Sequence, residues 1–202
     1  MIMKKNPDTS IQRKVIYSQM VSLDGFTEGL NREIDWSAPD EELFKYINNQ
    51  EDAFDTHLYG RRTYENMASY WPTADTDPLA TENEIEFARK WKEVTKIVFS
   101  KTLDRVEGNA RVVKNNITQE IKKLKEQPGK DMVLGGSNIA TTFMKLNLID
   151  EYWLYIHPVV LGNGTPMFKR LDDRINLQLV KTRTFDSRVV HLRYQRIDQS
   201  VE

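Results

Sequence analysis

Apolar positions along the chain follow two spacings, one typical of helices and one typical of strands. The segment TYENMASYW at 63–71 places apolar side chains at i, i+3, i+4 and i+7, which predicts an amphipathic helix. Short apolar runs, such as VIYSQM at 15–20 and MVLGG at 132–136, predict buried strands. Predicted strands and helices alternate over most of the chain, and this alternation predicts a mainly parallel sheet with helices on both faces.

The C-terminal part of the chain has a different pattern. The apolar run at 151–161 predicts a long strand bent at Pro158. Two further runs, at 177–185 and 188–197, predict an antiparallel hairpin. We therefore predict an α/β fold whose central, mainly parallel sheet ends in an antiparallel C-terminal hairpin. The polar, proline-containing segment at 72–83 predicts a loop.

Composition excludes several classes of protein. Of the 202 residues 39% are hydrophobic, enough for a core, and the net charge of −1 lacks the basic excess of a nucleic-acid binder. No apolar run approaches the ~20 residues of a membrane span, and the absence of cysteine excludes disulfides and thiolate metal sites. We expect a cytoplasmic protein with a disordered lead-in at 1–13 and a single domain at 14–198.

Glycine stands at two predicted strand-to-helix junctions, Gly60 and the pair Gly135-Gly136. Ligands bind at the carboxyl ends of parallel strands, and the N–H groups of a helix N-terminus suit a phosphate. Glycine would let that backbone approach the ligand closely. A plain tight turn is the alternative for the double glycine, because neither junction matches a specific nucleotide-binding motif.

Two cations follow the first glycine junction. Arg61 and Arg62 stand at a predicted helix N-terminus, where the helix dipole disfavours positive charge. A bound anion would remove this conflict, and so would solvation or an ion pair with Glu65 one turn later.

The other titratable residues give weaker signals. His57, His157 and His191 are far apart and no metal-ligand spacing links them, so we predict structural roles and no metal site. The acidic run 40–42 matches the dipole of a helix start, and a catalytic proton donor is the alternative interpretation.

Five stretches, taken in order, resemble the dihydrofolate reductase-like superfamily. The closer resemblance is to its bacterial branch, which is related to the C-terminal reductase domain of the bifunctional riboflavin-biosynthesis deaminase/reductase. The resemblance covers residues 14 to 197. The stretches are MVSLDGFTEG, YGRRTYE, IVFSK, MVLGGSNIATTF and HPVVLGNGTPMF. Of these, YGRRTYE is similar to the phosphate-binding turn of folate reductases, and HPVVLGNGTPMF resembles the riboflavin-type branch.

The resemblance implies an NADPH-dependent reductase and assigns a role to individual residues. Phosphates would be held by the first glycine junction, the 2′-phosphate by the end of the IVFSK strand, and the pyrophosphate by the second junction. The nicotinamide would lie beside Met20 and Thr27 of the first stretch. The implied cofactor-binding residues are Met20, Thr27, Gly60, Arg61, Arg62, Thr63, Ser100, Lys101, Gly135, Gly136, Ser137, Asn138 and Ile139.

The resemblance also implies a catalytic acid and a backbone feature. Counted from Trp36, Glu41 occupies the position of the acid that enters the folate reductase pocket, with Asp40 and Glu42 as competitors. The Gly-Gly peptide bond is often cis in this superfamily, so we expect a cis bond between Gly135 and Gly136.

The substrate implied is a small heterocycle, either of the 5-amino-6-(5-phosphoribosylamino)uracil type or pteridine-like. The zinc deaminase motif of the full riboflavin enzyme is missing, which leaves the pathway open. A true dihydrofolate reductase and a non-catalytic NADP(H)-binding module are the alternatives. Relatives in this branch commonly pair, so we also expect a homodimer.

Overall fold

A central sheet of eight strands organises the protein, and residues 12–197 are the part of the chain that this computed structural model describes. The strands are β1 (Val15–Ser22), β2 (Phe26–Glu28), β3 (Phe54–Gly60), β4 (Thr95–Phe99), β5 (Ala110–Val113), β6 (Asp131–Gly135), β7 (Glu151–His157), β8 (Thr165–Pro166), β9 (Leu177–Thr184) and β10 (Val190–Arg196). The helices are α1 (Glu41–Glu51), α2 (Arg61–Ala74), α3 (Glu82–Glu93), α4 (Ile117–Lys125) and α5 (Ser137–Lys145), with a short 3-10 helix at Asp35–Ser37.

The strand order is β5-β4-β3-β6-β1-β7-β10-β9. Pairing is parallel from β5 to β7 and antiparallel at β7-β10 and β10-β9. This confirms the predicted mainly parallel sheet with an antiparallel C-terminal hairpin. A separate two-stranded sheet joins β2 to β8.

Strand β1 shows why helices cover both faces of the sheet. Val15 and Tyr17 are buried in the cluster that also holds Phe143 of α5, whereas Ile16 is buried in a cluster on the other face. Because successive strand side chains point to opposite faces, an uninterrupted apolar run such as the first three residues of β1 must be covered on both sides.

The strand predicted over 151–161 is shorter in the structure and lies inside the sheet. It ends at His157, because Pro158 has no N–H group to donate to a neighbouring strand. Strand β7 pairs with β1 on one side and with β10 on the other, so the exposed edge at this end of the sheet is β9. The predicted extent of this strand, to residue 161, was therefore wrong.

Two boundaries differ from the sequence prediction. Helix α2 continues through Pro72 to Ala74, and α3 begins at Glu82, so the predicted loop at 72–83 is shortened at both ends to residues 75–81. A capping box between Thr81 and Glu84 starts α3. At the N-terminus, the predicted disordered lead lies outside the described residues except for its last two; there Arg13 is buried and donates to Thr56 Oγ1 at 2.9 Å.

None of the helices within residues 12–197 is long and apolar enough to span a bilayer.

Candidate functional site

The two glycine junctions meet at the carboxyl ends of the parallel strands, which we call the strand-end edge of the sheet. Strand β3 lies between β4 and β6, and its register pairs Gly60 with Phe99 and Tyr59 with Gly135. Parallel pairing therefore places the carboxyl ends of these three strands side by side. The sequence stretches YGRRTYE, IVFSK and MVLGGS, far apart in the chain, converge there.

The two glycine junctions are in direct contact. A Cβ atom built on Gly136 would lie 2.3 Å from Thr63 Oγ1, and one built on Gly60 would lie 3.3 Å from Ile139 Cβ. Gly136 also has φ of +100°, a conformation that side chains disfavour. Both space and backbone conformation therefore require glycine at position 136.

The Gly135-Gly136 peptide bond is trans, as are all peptide bonds within residues 12–197. The expected cis bond is therefore wrong for this chain. The positive φ of Gly136 makes the turn into α5 without it.

Helices α2 and α5 begin without a capping side chain. Their N-cap residues are Gly60 and Gly136, and neither helix start receives a side-chain hydrogen bond. By contrast, Asp40 caps α1 and Thr81 caps α3, whereas α4 also begins without a side-chain cap. The first N–H groups of α2 and α5 are thus available to an anion at the strand-end edge.

Both arginines of the first junction form ion pairs with carboxylates. Arg61 Nε donates to Glu65 Oε1 at 2.7 Å, which is the pairing that the sequence offered as an alternative to a bound anion. Arg62 Nη2 lies 2.7 Å from both oxygens of Glu28, whose carboxylate also accepts from Thr165 Oγ1 at 2.5 Å. The dipole conflict at this helix start is thus resolved by side chains.

The loop after β4 adjoins this junction. Arg61 Nη1 donates to Thr102 Oγ1 at 3.1 Å. Ser100 Oγ accepts from the N–H groups of Thr102 and Leu103, so this hydroxyl closes the turn itself. Lys101 is exposed beside it. Thr102 therefore links the Ser100 turn to Arg61. The phosphate contacts of Ser100 and Lys101 remain a prediction.

The loop after β1 reaches the second junction. Thr27 Oγ1 is 3.4 Å from Ser137 Oγ and donates to Thr165 O at 3.2 Å. Asn138 is exposed, and its side chain accepts a hydrogen bond from Lys169. Thr27 thus contacts the first turn of α5, whereas the side-chain amide of Asn138 is bonded to the segment after β8.

A family comparison identifies the chain. The RibD C-terminal domain matches residues 13–191. The chain belongs to the RibD C-terminal domain family. The Bacillus subtilis (strain 168) protein YyaP, itself uncharacterized, is 45% identical over 188 residues, covering 91% of this chain and 95% of that protein.

Solved structures show that this RibD C-terminal domain protein has a dihydrofolate reductase-like fold. A Shewanella sp. PV-4 protein named for riboflavin biosynthesis matches with a TM-score of 0.74 at 21% identity, covering 91% of this chain and 99% of its own. Dihydrofolate reductase from Enterococcus faecalis, solved with NADP(H), matches with a TM-score of 0.61 at 16% identity, covering 93% and 98%. The fold resemblance stated from the sequence is confirmed.

Met20 borders a buried histidine in this RibD-type domain. Its Sδ atom lies 3.3 Å from His157 Nε2, and the His157 ring makes an edge contact with Trp36 at 5.5 Å. Burial lowers the pKa of His157, which favours the neutral imidazole. The sequence assigned His157 only a structural role, and its pairing with Met20 depends on the parallel register of β1 and β7.

The three acids at the start of α1 have different environments. Asp40 accepts from the Leu43 N–H at 2.9 Å as the helix cap. Glu42 accepts from the Asp186 N–H at 2.9 Å and pairs with Arg183 at 2.7 Å, and these contacts hold its pKa below the usual range. The carboxylate of Glu41 is exposed and has no hydrogen-bond partner among residues 12–197. Of the three, Glu41 is therefore the acid left open to a ligand.

The described residues bring no metal-ligating cluster together. His57 bonds Glu51 and Tyr59, both at 2.7 Å, and His191 stacks on Tyr155 with ring centroids 4.2 Å apart. All the histidines are buried, in agreement with the structural roles predicted for them.

Proposed function

We propose that this protein is an NADPH-dependent reductase that transfers a hydride to a small heterocyclic substrate. The single observation that carries the proposal is the pair of uncapped helix starts, α2 and α5, in contact through Gly136 and Thr63. Membership of the RibD C-terminal domain family and the fold of an NADP(H)-bound reductase support it.

The donor set at the strand-end edge fits a dinucleotide phosphate. Backbone N–H groups at the starts of α2 and α5 would bind the pyrophosphate, and glycine leaves room for its close approach. Lys101 would meet the 2′-phosphate, because it is a cation with no ion pair among the described residues. When bound, the reduced nicotinamide supplies the hydride.

The residues around Met20 would hold the reacting rings. Trp36 is half-buried beside the buried His157, and an aromatic wall of this kind suits a planar heterocycle. Glu41 would protonate the substrate ring nitrogen, since Asp40 and Glu42 are occupied by structural hydrogen bonds. The substrate class we propose is 5-amino-6-(5-phosphoribosylamino)uracil-like or pteridine-like.

The test is oxidation of NADPH, followed by loss of reduced-nicotinamide absorbance with a panel of substrates. The panel contains the ribosylaminouracil, its phosphate, dihydrofolate and dihydropterin. Turnover of the aminouracil or a pterin is expected. Turnover of dihydrofolate alone would identify a dihydrofolate reductase, and tight NADPH binding without turnover of any compound would identify a binding module.

The role of Glu41 has its own matched pair of variants. Glu41→Gln should lower kcat at least ~100-fold, the usual contribution of a general acid, with NADPH affinity unchanged. Glu42→Gln removes a neighbouring carboxylate that is bound to Arg183, and it should leave kcat within a few-fold of the native value. Equal kcat values for the two variants would refute the assignment.

A further inference from the structure

A cavity of about 660 Å³ lies between α2, α3 and the loop that joins β4 to β5. Ligand-binding pockets usually have ~300–1,000 Å³, so it is large enough for a small molecule. None of its lining residues belongs to the predicted cofactor set. Apolar side chains form much of the wall, among them Tyr64, Ala68, Pro72, Trp91, Leu103 and Val106.

A buried cation, Lys96, forms part of the cavity wall. The residue is only 2% exposed, and its Nζ donates to the carbonyls of Val94 at 2.9 Å and Lys92 at 3.3 Å. Nζ also lies 4.4 Å from the centroid of the Trp91 ring. Within residues 12–197 no carboxylate forms an ion pair with it.

The other charged groups of the wall do not neutralise Lys96. Lys92 pairs with Asp75 at 2.6 Å, and Glu65 pairs with Arg61 at 2.7 Å. Arg105 and Glu107 are carried by the exposed loop. Burial lowers the pKa of Lys96 to about 8, so the side chain is still mostly protonated at neutral pH.

A buried charge without a counter-ion is unfavourable, and a ligand anion would relieve this. We propose that the cavity is a second ligand site for a small planar carboxylate. Its carboxylate pairs with Lys96, and its apolar body packs against Trp91, Leu103 and Val106. The site is separate from the strand-end edge, so a ligand there binds together with the cofactor.

Calorimetric titration with 2-naphthoate and its neutral counterpart 2-naphthylmethanol tests the charge requirement. The native protein should bind naphthoate at least tenfold more tightly than the alcohol. Lys96→Met keeps the length of the side chain but removes the charge, and it should abolish this preference. Lys123→Met, on the exposed surface of α4, is the control and should leave both affinities unchanged.

A steric variant tests the location. Ala68→Trp on α2 fills the cavity and should weaken the binding of both compounds at least tenfold. This test does not depend on whether Lys96→Met folds. A thermal melt checks each variant. Equal affinity for the two compounds, native naphthoate binding in Ala68→Trp, or competition between naphthoate and NADPH would each overturn the proposal.

Discussion

Gly136 and Thr63 are in contact at the point where the starts of α5 and α2 meet. The Thr63 Oγ1 atom stands 2.3 Å from the position that a Cβ atom on Gly136 would take. A larger residue at 136 must displace the Thr63 side chain or push α2 away from α5. The contact thus fixes the distance between the two uncapped helix starts, which is the distance a bound pyrophosphate would have to match.

Replacing Gly136 with alanine should lower the free energy of unfolding by more than the ~1–2 kcal/mol of a left-handed residue, because the clash with Thr63 adds to the strain. Gly25→Ala is the matched control, since Gly25 has φ of +88° and no atom within 4 Å of its added Cβ. Urea denaturation compares the two. Equal losses of unfolding free energy in the two variants would show that the Thr63 side chain moves aside at no cost.

Glu28 holds Arg62 where a phosphate could bind. The residue is only 8% exposed, and its carboxylate contacts Arg62 with both oxygens at 2.7 Å. Glu28→Gln keeps the shape but removes the negative charge, so NADPH should bind about 3- to 10-fold more tightly, as loss of ~1 kcal/mol of repulsion allows. Calorimetric titration measures this. Weaker binding would show instead that Glu28 positions Arg62 for the phosphate.

Lys101 should carry the preference for NADPH over NADH. Arg61 and Arg62 already have carboxylate partners, whereas Lys101 has no ion pair in the described part of the chain. We expect NADPH to bind more than tenfold more tightly than NADH, since one charge-assisted contact contributes ~1.5–3 kcal/mol. In Lys101→Met the ratio of the dissociation constants should approach one, whereas Lys122→Met on α4 should leave it unchanged.

Local patterns were sufficient to predict the order of strands and helices. The apolar period in 63–71 and the glycine junctions depend on neighbours within a few residues, and the structure has α2 and α5 where these patterns predict them. Thr81 and Glu84 have the spacing of a capping box, a local signal that lies at the end of the segment predicted as a loop.

The pairing within the site could not be predicted in the same way. Glu28 meets Arg62 across 34 positions and Thr165 across 137, through the short β2-β8 sheet, which has no local signature. His157 meets Met20 only through the register of β1 and β7. Such contacts depend on the assembled sheet, so they cannot be predicted from local patterns in a single sequence.

The homodimer remains a prediction, and its expected interface is now β9. Leu179 and Val180 on this edge strand are 49% and 55% exposed. Exposed apolar edges favour association between copies. Leu179→Lys should convert a dimer to a monomer in light scattering at micromolar concentration. Leu79→Lys is the control, because Leu79 is 90% exposed but lies in the loop between α2 and α3. A monomeric native protein would exclude this interface.

His191 should make the fold sensitive to acid. Burial, reinforced by the charges of Arg193, Lys181 and Arg183, lowers its pKa from 6.5 to about 4. The unfolded chain therefore binds a proton at higher pH than the native state, and stability falls as the pH drops from about 6.5 towards 4. The full loss corresponds to ~3 kcal/mol, at 1.36 kcal/mol for each pKa unit.

Urea denaturation at pH 7.5 and pH 4.5 tests this contribution of His191. His191→Phe can keep the ring stacked on Tyr155 but cannot take up a proton, so it should lose about 2–3 kcal/mol less than the native protein between these pH values. Burial also lowers the pKa of His157, which shifts stability in the same direction in both proteins and cancels in the comparison. If both proteins lose equal stability on acidification, His191 is not the group that titrates, and the acid sensitivity arises elsewhere in the chain.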